Sequence, residues 1–125
     1  VQSYGLTHAP VVLELDIAAL TQVDELKSQA ISKFQAVRRD LALVMDEALS
    51  ADTLQAAFAS ANLAIVSAIE VFDVYRGKGM PEGKKSLAFK VLMQDTHKTL
   101  TDEEVEAAVT KLLQKAEECG AILRA

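Results

Sequence analysis

Large apolar residues alternate with small or polar ones in three segments of the chain. The alternation runs through residues 40–46 and 85–93 and through the end of residues 65–75. A period of two is the side-chain repeat of a β-strand. The pattern therefore predicts three strands, each with one apolar face and one small or polar face. The predicted apolar faces consist of Leu41, Leu43 and Met45, of Phe72 and Val74, and of Leu87, Phe89, Val91 and Met93.

Two other segments have the apolar repeat of an amphipathic helix. One covers residues 50–61 and begins at Ser50, a residue type that caps helix N-termini. The other begins at a capping box formed by Thr101 and Glu104, and Gly120 stands where a left-handed C-terminal cap belongs. Each predicted helix has one apolar stripe, so each should cover one face of a sheet. The stripes consist of Leu54, Ala57, Phe58 and Ala61, and of Val105, Ala108, Val109, Leu112 and Ala116.

A short apolar segment at residues 121–124 follows the second helix and predicts a fourth strand. The order of elements is then β-α-β-β-α-β, which is the ferredoxin-like arrangement of the α+β class. In this arrangement four antiparallel strands form one sheet, and both helices lie on the same face. The other face is expected to be open to a ligand.

The composition is that of a globular protein with a single core. The chain has 125 residues, of which 50% are hydrophobic and 25% charged. Neither a membrane-spanning run nor the basic start of a signal peptide is found, so we expect a cytoplasmic protein without a membrane partner. The net charge of −5 disfavours a general nucleic-acid binder, and DNA is not an expected partner. The charge is uneven, because residues 76–90 contain five bases and one acid, whereas residues 101–118 contain six acids and two bases.

Few residues are candidates for chemistry. Cys119 is the single cysteine and stands among acidic residues, so we expect an unreactive thiol. His8 and His97 have no further ligands at metal-binding spacing and no serine or cysteine nucleophile beside them. The glycine-rich loop at residues 76–84 joins two strands and opens no helix, unlike a nucleotide-binding loop. The sequence therefore predicts no catalytic residue, no metal site and no cofactor.

The sequence of residues 72–89 closely resembles the centre of the ferredoxin-fold anticodon-binding domain of phenylalanyl-tRNA synthetase β subunits. Residues 38–42 and 99–105 resemble the same family in the right order and at the right intervals. The resemblance implies that residues 32–125 form this domain. Residues 1–31, with a strand-like segment at 11–17 and a short helical segment at 17–26, resemble the end of the catalytically silent module that precedes it.

The resemblance also implies a function. Members of this family belong to an α2β2 enzyme that joins phenylalanine to its tRNA with ATP and magnesium, and the active site lies in the α subunit. The domain itself is non-catalytic and binds the anticodon loop of phenylalanine tRNA. By matched position, Tyr75 would stack on the first anticodon base, Asp73 and Ser86 would hydrogen-bond to it, and Ala42 and Arg124 would line the same place.

Physical chemistry supports these roles independently. The resemblance implies that the first base of this anticodon is guanine. The Watson–Crick edge of guanine presents two adjacent N–H donors that one carboxylate, such as Asp73, accepts together. An exposed aromatic ring such as Tyr75 is a platform for any unstacked base. The residues expected on the open face are Ala42, Asp73, Tyr75, Ser86 and Lys90. The residues expected to meet RNA phosphates are Arg76, Lys78, Lys84 and Lys85, and Arg39 is assigned either to RNA contact or to protection of a strand edge.

Other interpretations remain open at this point. Asp73 could pair with Lys84 or Lys85 across the hairpin, and Tyr75 could be an ordinary aromatic residue at a strand end. The fold also serves small-molecule regulatory modules, as well as enzymes such as acylphosphatases. Both alternatives would need a glycine-rich or basic connection after the first strand, where this chain has Asp46 and Glu47.

Overall fold

The computed structural model describes residues 4–23, 25, 27–28 and 31–124. The chain divides into two compact units, Val1–Ala30 and Ile31–Ala125. In the first unit, helix α1 (Ile17–Leu20) begins where the carboxylate of Asp16 accepts a hydrogen bond from the amide of Ala18. The strand predicted at residues 11–17 is wrong, because the described residues of this unit offer it no partner strand. The helix predicted at residues 17–26 is shorter than expected, because it ends at Leu20 with Thr21 as its C-cap. Leu26 lies outside the described residues, and the origin of residues 1–31 stays a prediction.

The second unit has the predicted order of elements. Its four strands form one antiparallel sheet in the order β2-β3-β1-β4, which confirms the ferredoxin-like fold. Strand β1 begins at Val37, three residues earlier than predicted. Arg38 and Arg39 therefore lie within this strand. The elements are β1 (Val37–Asp46), α2 (Ala51–Ser60), β2 (Val66–Tyr75), β3 (Lys84–Met93), α3 (Asp102–Glu118) and β4 (Ile122–Leu123).

The helix ends form as their sequences predict. The hydroxyl of Ser50 accepts a hydrogen bond from the amide of Thr53 at the start of α2. At the start of α3, Thr101 and Glu104 accept hydrogen bonds from each other's backbone amides, which is the predicted capping box. Gly120 has a φ of +83°, a left-handed conformation that ends α3 and turns the chain toward β4.

The apolar core lies between the sheet and helices α2 and α3, which pack on the same face. It is built from the alternate residues of β1 and β3 and from the apolar stripes of both helices. None of the helices in the described part of the chain combines the length and apolar character needed to cross a membrane. The buried core residues of the sheet and helices are Leu41, Leu43, Met45, Leu54, Phe58, Leu87, Phe89, Val91, Met93, Val105, Ala108, Leu112 and Ala116.

A β-bulge changes the predicted face of one aromatic residue. Val71 pairs with Phe89, and Asp73 pairs with the next residue along β3, so Phe72 is the extra residue of the bulge. Phe72 is 52% exposed, and the guanidinium of Arg38 lies 5.7 Å from the centre of its ring. The prediction that Phe72 lies on the apolar face is therefore wrong, because strict alternation does not survive an inserted residue.

Candidate functional site: the open face of the sheet

The helix-free face of the sheet, called the open face below, carries two adjacent cross-strand rows that include the predicted site residues. In the first row Tyr75 pairs with Ser86, Ser86 with Val44, and Val44 with Ile122. Ser86 is only 3% exposed, so it lies at the bottom of this row. Tyr75, at the end of β2, is 38% exposed and stands at one side of it.

The second row brings the remaining predicted residues to the same face. Asp73 pairs with Ala88, and Ala88 pairs with Ala42. The backbone amide of Arg124 donates a hydrogen bond of 2.8 Å to the carbonyl of Ala42, which continues the row beyond β4. The row thus has a carboxylate at one end, a guanidinium at the other and two alanines between them.

The two rows together form a shallow site with a floor of small side chains. The guanidinium of Arg124 reaches across this floor to lie 5.0 Å from the centre of the Tyr75 ring. The hydroxyl of Tyr75 donates a hydrogen bond of 2.9 Å to the carbonyl of Lys78, which fixes the ring against the loop. A Cβ atom at Gly77 would lie 3.1 Å from the hydroxyl oxygen of Tyr75 and 3.2 Å from its Cζ, so a residue without a side chain fits there best.

The carboxylate of Asp73 forms no ion pair with any described residue. Its Oδ1 accepts a hydrogen bond of 2.8 Å from the amide of Val74, which holds the carboxylate in one orientation. The suggested pairing across the hairpin does not form, because Lys84 contacts Asp46 at 2.9 Å and Lys85 donates to a backbone carbonyl. Asp73 therefore retains acceptor capacity for a ligand with two N–H groups.

Most basic residues of the 76–90 segment are already paired. The guanidinium of Arg76 donates to both carboxylate oxygens of Glu47, and this hydrogen bonding lowers the pKa of Glu47. The ammonium of Lys90 lies 2.6 Å from Glu70 on the open face, and its hydrogen bond lowers the pKa of Glu70. Lys78 makes no ion pair with any described residue. The excess of bases in this segment is thus largely neutralised by acids on β1, β2 and the turn after β1.

Two residues predicted to contact RNA lie away from the open face. Lys85 pairs with Met45 at a core-facing position, is 8% exposed, and donates a hydrogen bond of 2.8 Å to the carbonyl of Glu47. Arg39 also lies at a core-facing position of β1, where it pairs with Val91, and its guanidinium lies 3.7 Å from Glu106 of α3. Both residues face the helices, because their positions in the strand repeat turn them toward that side of the sheet. The phosphate contact of Lys85, and the choice for Arg39 between RNA contact and protection of a strand edge, stay predictions.

A second concave surface lies on the other side of the sheet, between α2 and the start of β2. Phe58, Leu63 and Ile69 are among its lining residues, and none of the described residues that line it is charged. An amino-acid effector carries an ammonium and a carboxylate, and charges that leave water are usually paired with opposite charges. The polar residues that line this groove, Gln55, Asn62 and Ser67, are uncharged, so they offer neither group an ion pair. No group of three His, Cys, Asp or Glu side chains within the described ranges is placed to hold a metal ion.

The family model of the ferredoxin-fold anticodon binding domain matches residues 32–124. The chain belongs to this family. Phenylalanine–tRNA ligase beta subunits are similar to it throughout: that of Chromobacterium violaceum is 59% identical over 124 residues, covering 99% of this chain and 16% of the relative. Those of Neisseria meningitidis serogroup A and Thiobacillus denitrificans are 51% and 49% identical over 98% and 100% of this chain. The chain spans 16% of the length of each of these relatives.

Within this anticodon binding domain, three residues on or beside the open face were not identified from the sequence. Strict alternation predicted Phe72 on the apolar face, and the strand predicted at residues 40–46 left out Arg38, which lies within β1. Gly77 belongs to the glycine-rich loop, yet it alone among the described glycines approaches another side chain closely. The bulge that places Phe72 and the loop fold that places Gly77 have no local sequence signal.

Proposed function

We propose that this anticodon binding domain is the RNA-reading part of a phenylalanine–tRNA ligase β subunit. In this proposal the open face binds the anticodon loop of phenylalanine tRNA. The observation that carries it is the convergence of Tyr75, Asp73 and Arg124 around a floor of small residues, on the face that the helices leave free. An aromatic ring, a carboxylate and a guanidinium around a shallow floor suit an unstacked base better than they suit a small apolar ligand.

The first anticodon base would lie against Tyr75. Its Watson–Crick edge would face Asp73, whose carboxylate accepts the N1–H and N2–H groups that only guanine presents side by side. Ser86 lies below, where its hydroxyl can donate or accept one further hydrogen bond. In this arrangement Tyr75 holds the base without selecting it, and Asp73 selects it. Recognition would therefore need both residues, each for a different physical reason.

The RNA backbone would be held by weaker and less specific contacts. Lys78 lies beside the Tyr75 ring in the loop and has no ion-pair partner among the described residues, so it is the strongest candidate for a phosphate contact. Arg76, Lys84 and Lys90 can contribute only by sharing or exchanging their present carboxylate partners. Phosphate contacts add salt-dependent affinity and no sequence information.

The chemical reaction would take place elsewhere in the parent enzyme. ATP, magnesium and phenylalanine would bind to the α subunit of an α2β2 ligase, and this chain would contribute tRNA binding alone. Residues 1–31 would be the end of the catalytically silent module that precedes the domain, and the enzyme would work in the cytoplasm. The contribution of this chain to aminoacylation is then the positioning of the tRNA.

The test is a titration of the chain, at fixed salt concentration, with anticodon stem-loops of phenylalanine tRNA that differ only at the first anticodon base. The wild-type chain is expected to prefer guanine. Asp73→Asn should reduce that preference more than it reduces total binding, because an amide offers one acceptor oxygen and a donor NH2 group in place of two acceptor oxygens. Glu70→Gln removes another carboxylate from the same strand and face, and it should leave the preference intact. Equal affinity of the wild-type chain for all four bases would refute this function.

A further inference from the structure

An exposed aromatic residue other than Tyr75 lies on the open face. Phenylalanine side chains are usually buried, and Phe58 and Phe89 pack edge to face in the core of this domain. Phe72 instead exposes about half of its ring from the bulge in β2. Bulges are common beside functional sites, where they redirect one side chain. Here the redirected side chain is an aromatic ring next to Asp73.

The ring of Phe72 has a fixed cationic neighbour. The guanidinium of Arg38 lies 5.7 Å from the ring centre and donates two hydrogen bonds, of 2.8 and 2.9 Å, to the carboxylate of Asp40. Asp40 pairs with Lys90 across β1 and β3, and Lys90 contacts Glu70. Arg38 is therefore held beside the Phe72 ring on the open face, where it can stack on a base or neutralise a phosphate.

The spacing of Phe72 and Tyr75 along β2 suits neighbouring nucleotides of one RNA strand. The two residues are three apart in sequence, but the bulge at Phe72 reduces this to between two and three positions of β3, or roughly 7–10 Å. Asp73, which would read the first base, lies between them. Four-stranded sheets of this topology bind two or three unstacked bases on aromatic residues in other RNA-binding modules.

We propose that Phe72, flanked by Arg38, is a second base-stacking platform that receives the nucleotide adjacent to the one on Tyr75. This inference rests on the proposed function, since it needs an RNA loop already seated on the open face. The second base is held by stacking and charge without a dedicated hydrogen-bonding partner, so the platform adds affinity and little base preference. The open face then binds two neighbouring bases, of which one is read.

The test compares Phe72→Ala, Phe72→Tyr and Val74→Ala for binding to the anticodon stem-loop at fixed salt. Phe72→Ala should weaken binding by roughly 5- to 150-fold, since one stacked base contributes on the order of 1–3 kcal/mol. Phe72→Tyr keeps the ring and should bind nearly as well as the wild-type chain. Val74→Ala is the matched control, because Val74 is an exposed apolar residue of the same strand that faces the other side. Thermal unfolding of each variant reports whether the fold is intact.

Stem-loops that lack the base on either side of the first anticodon position distinguish stacking from a structural role. With one of these two RNAs, Phe72→Ala should bind as well as the wild-type chain, because the base that the ring would hold is absent. An equal loss with every RNA, or no loss at all, would overturn the second platform while leaving the role of Tyr75 in place. Failure of the wild-type chain to bind the intact stem-loop, or binding that does not depend on Tyr75, would overturn the proposed function and this inference with it.

Discussion

The guanidinium of Arg124 lies 5.0 Å from the centre of the Tyr75 ring, although these residues belong to opposite edges of the sheet. Two central strands lie between them. The contact is possible because the floor between them consists of small side chains, notably Ala42 and Ala88. Tyr75 and Arg124 thus bound the open face from opposite edges of the sheet, so a flat ligand such as a base can contact both side chains.

Replacement of Tyr75 should separate its ring from its hydroxyl group. Tyr75→Ala is expected to reduce affinity for the anticodon stem-loop by about 1–3 kcal/mol, because it removes the stacking surface. Tyr75→Phe loses only the hydrogen bond to Lys78 and should keep most of the affinity. Isothermal titration calorimetry measures both. Equal losses in the two variants would mean that the hydroxyl, and not the ring, is the important group.

Gly77→Ala should weaken RNA binding by moving the Tyr75 ring. The added methyl group would lie 3.1 Å from the hydroxyl oxygen of Tyr75, so the ring or the loop must shift by a few tenths of an ångström. The free energy of unfolding should change little, because the ring is partly exposed and can move. The control is the same substitution in the Tyr75→Ala background, where it should have no further effect on affinity. A full additional loss there would show that Gly77 acts independently of Tyr75.

Lys78 and Lys85 should differ in what they contribute, although both come from the basic segment. Lys78→Ala should reduce the slope of log affinity against log salt by roughly 0.7, the value for one phosphate contact of a single strand. Lys85→Met should leave that slope unchanged and destabilise the fold by about 1–3 kcal/mol, because the part-buried hydrogen bond from its ammonium to the carbonyl of Glu47 is lost. Binding titrations over a salt series and urea unfolding measure the two effects. A reduced slope for Lys85→Met would instead show that Lys85 contacts an RNA phosphate.

The fold was predictable because its local signals agree with one another. The alternation of Leu41, Leu43 and Met45 identified the buried face of β1, and the capping box at Thr101 identified the start of α3. The order of elements then left one plausible topology. The common face of Ala42, Tyr75 and Ser86 follows from the same period of two. Their joint role in binding rests on the family resemblance and stays a prediction.

Features that depend on distant parts of the chain were not predictable. The bulge that exposes Phe72 arises from the pairing of β2 with β3, and a period-two pattern carries no sign of it. The ion pairs of Arg76 with Glu47 and of Lys84 with Asp46 join segments far apart in sequence, so the charge run overstated the basic surface. The burial of Lys85, by contrast, was predictable, because Lys85 has the same place in the period of two as the core residue Leu87.

Acidification should destabilise the domain partly through Glu104. Its hydrogen bonds from Lys98 and from the amide of Thr101 lower the pKa of Glu104 in the folded state. A lowered folded-state pKa gives stability that is present above the unfolded value of about 4.3 and is lost as the pH falls through the folded value.

Glu104→Gln keeps the oxygen that accepts from Thr101 but removes the charge, so its free energy of unfolding should decline less below about pH 4.3 than that of the wild-type chain. Urea unfolding over a pH series measures this difference. The matched control is Glu82→Gln, which removes a carboxylate that forms no ion pair among the described residues. An unchanged pH dependence in Glu104→Gln would show that the capping box, and not the charge, is what this glutamate contributes.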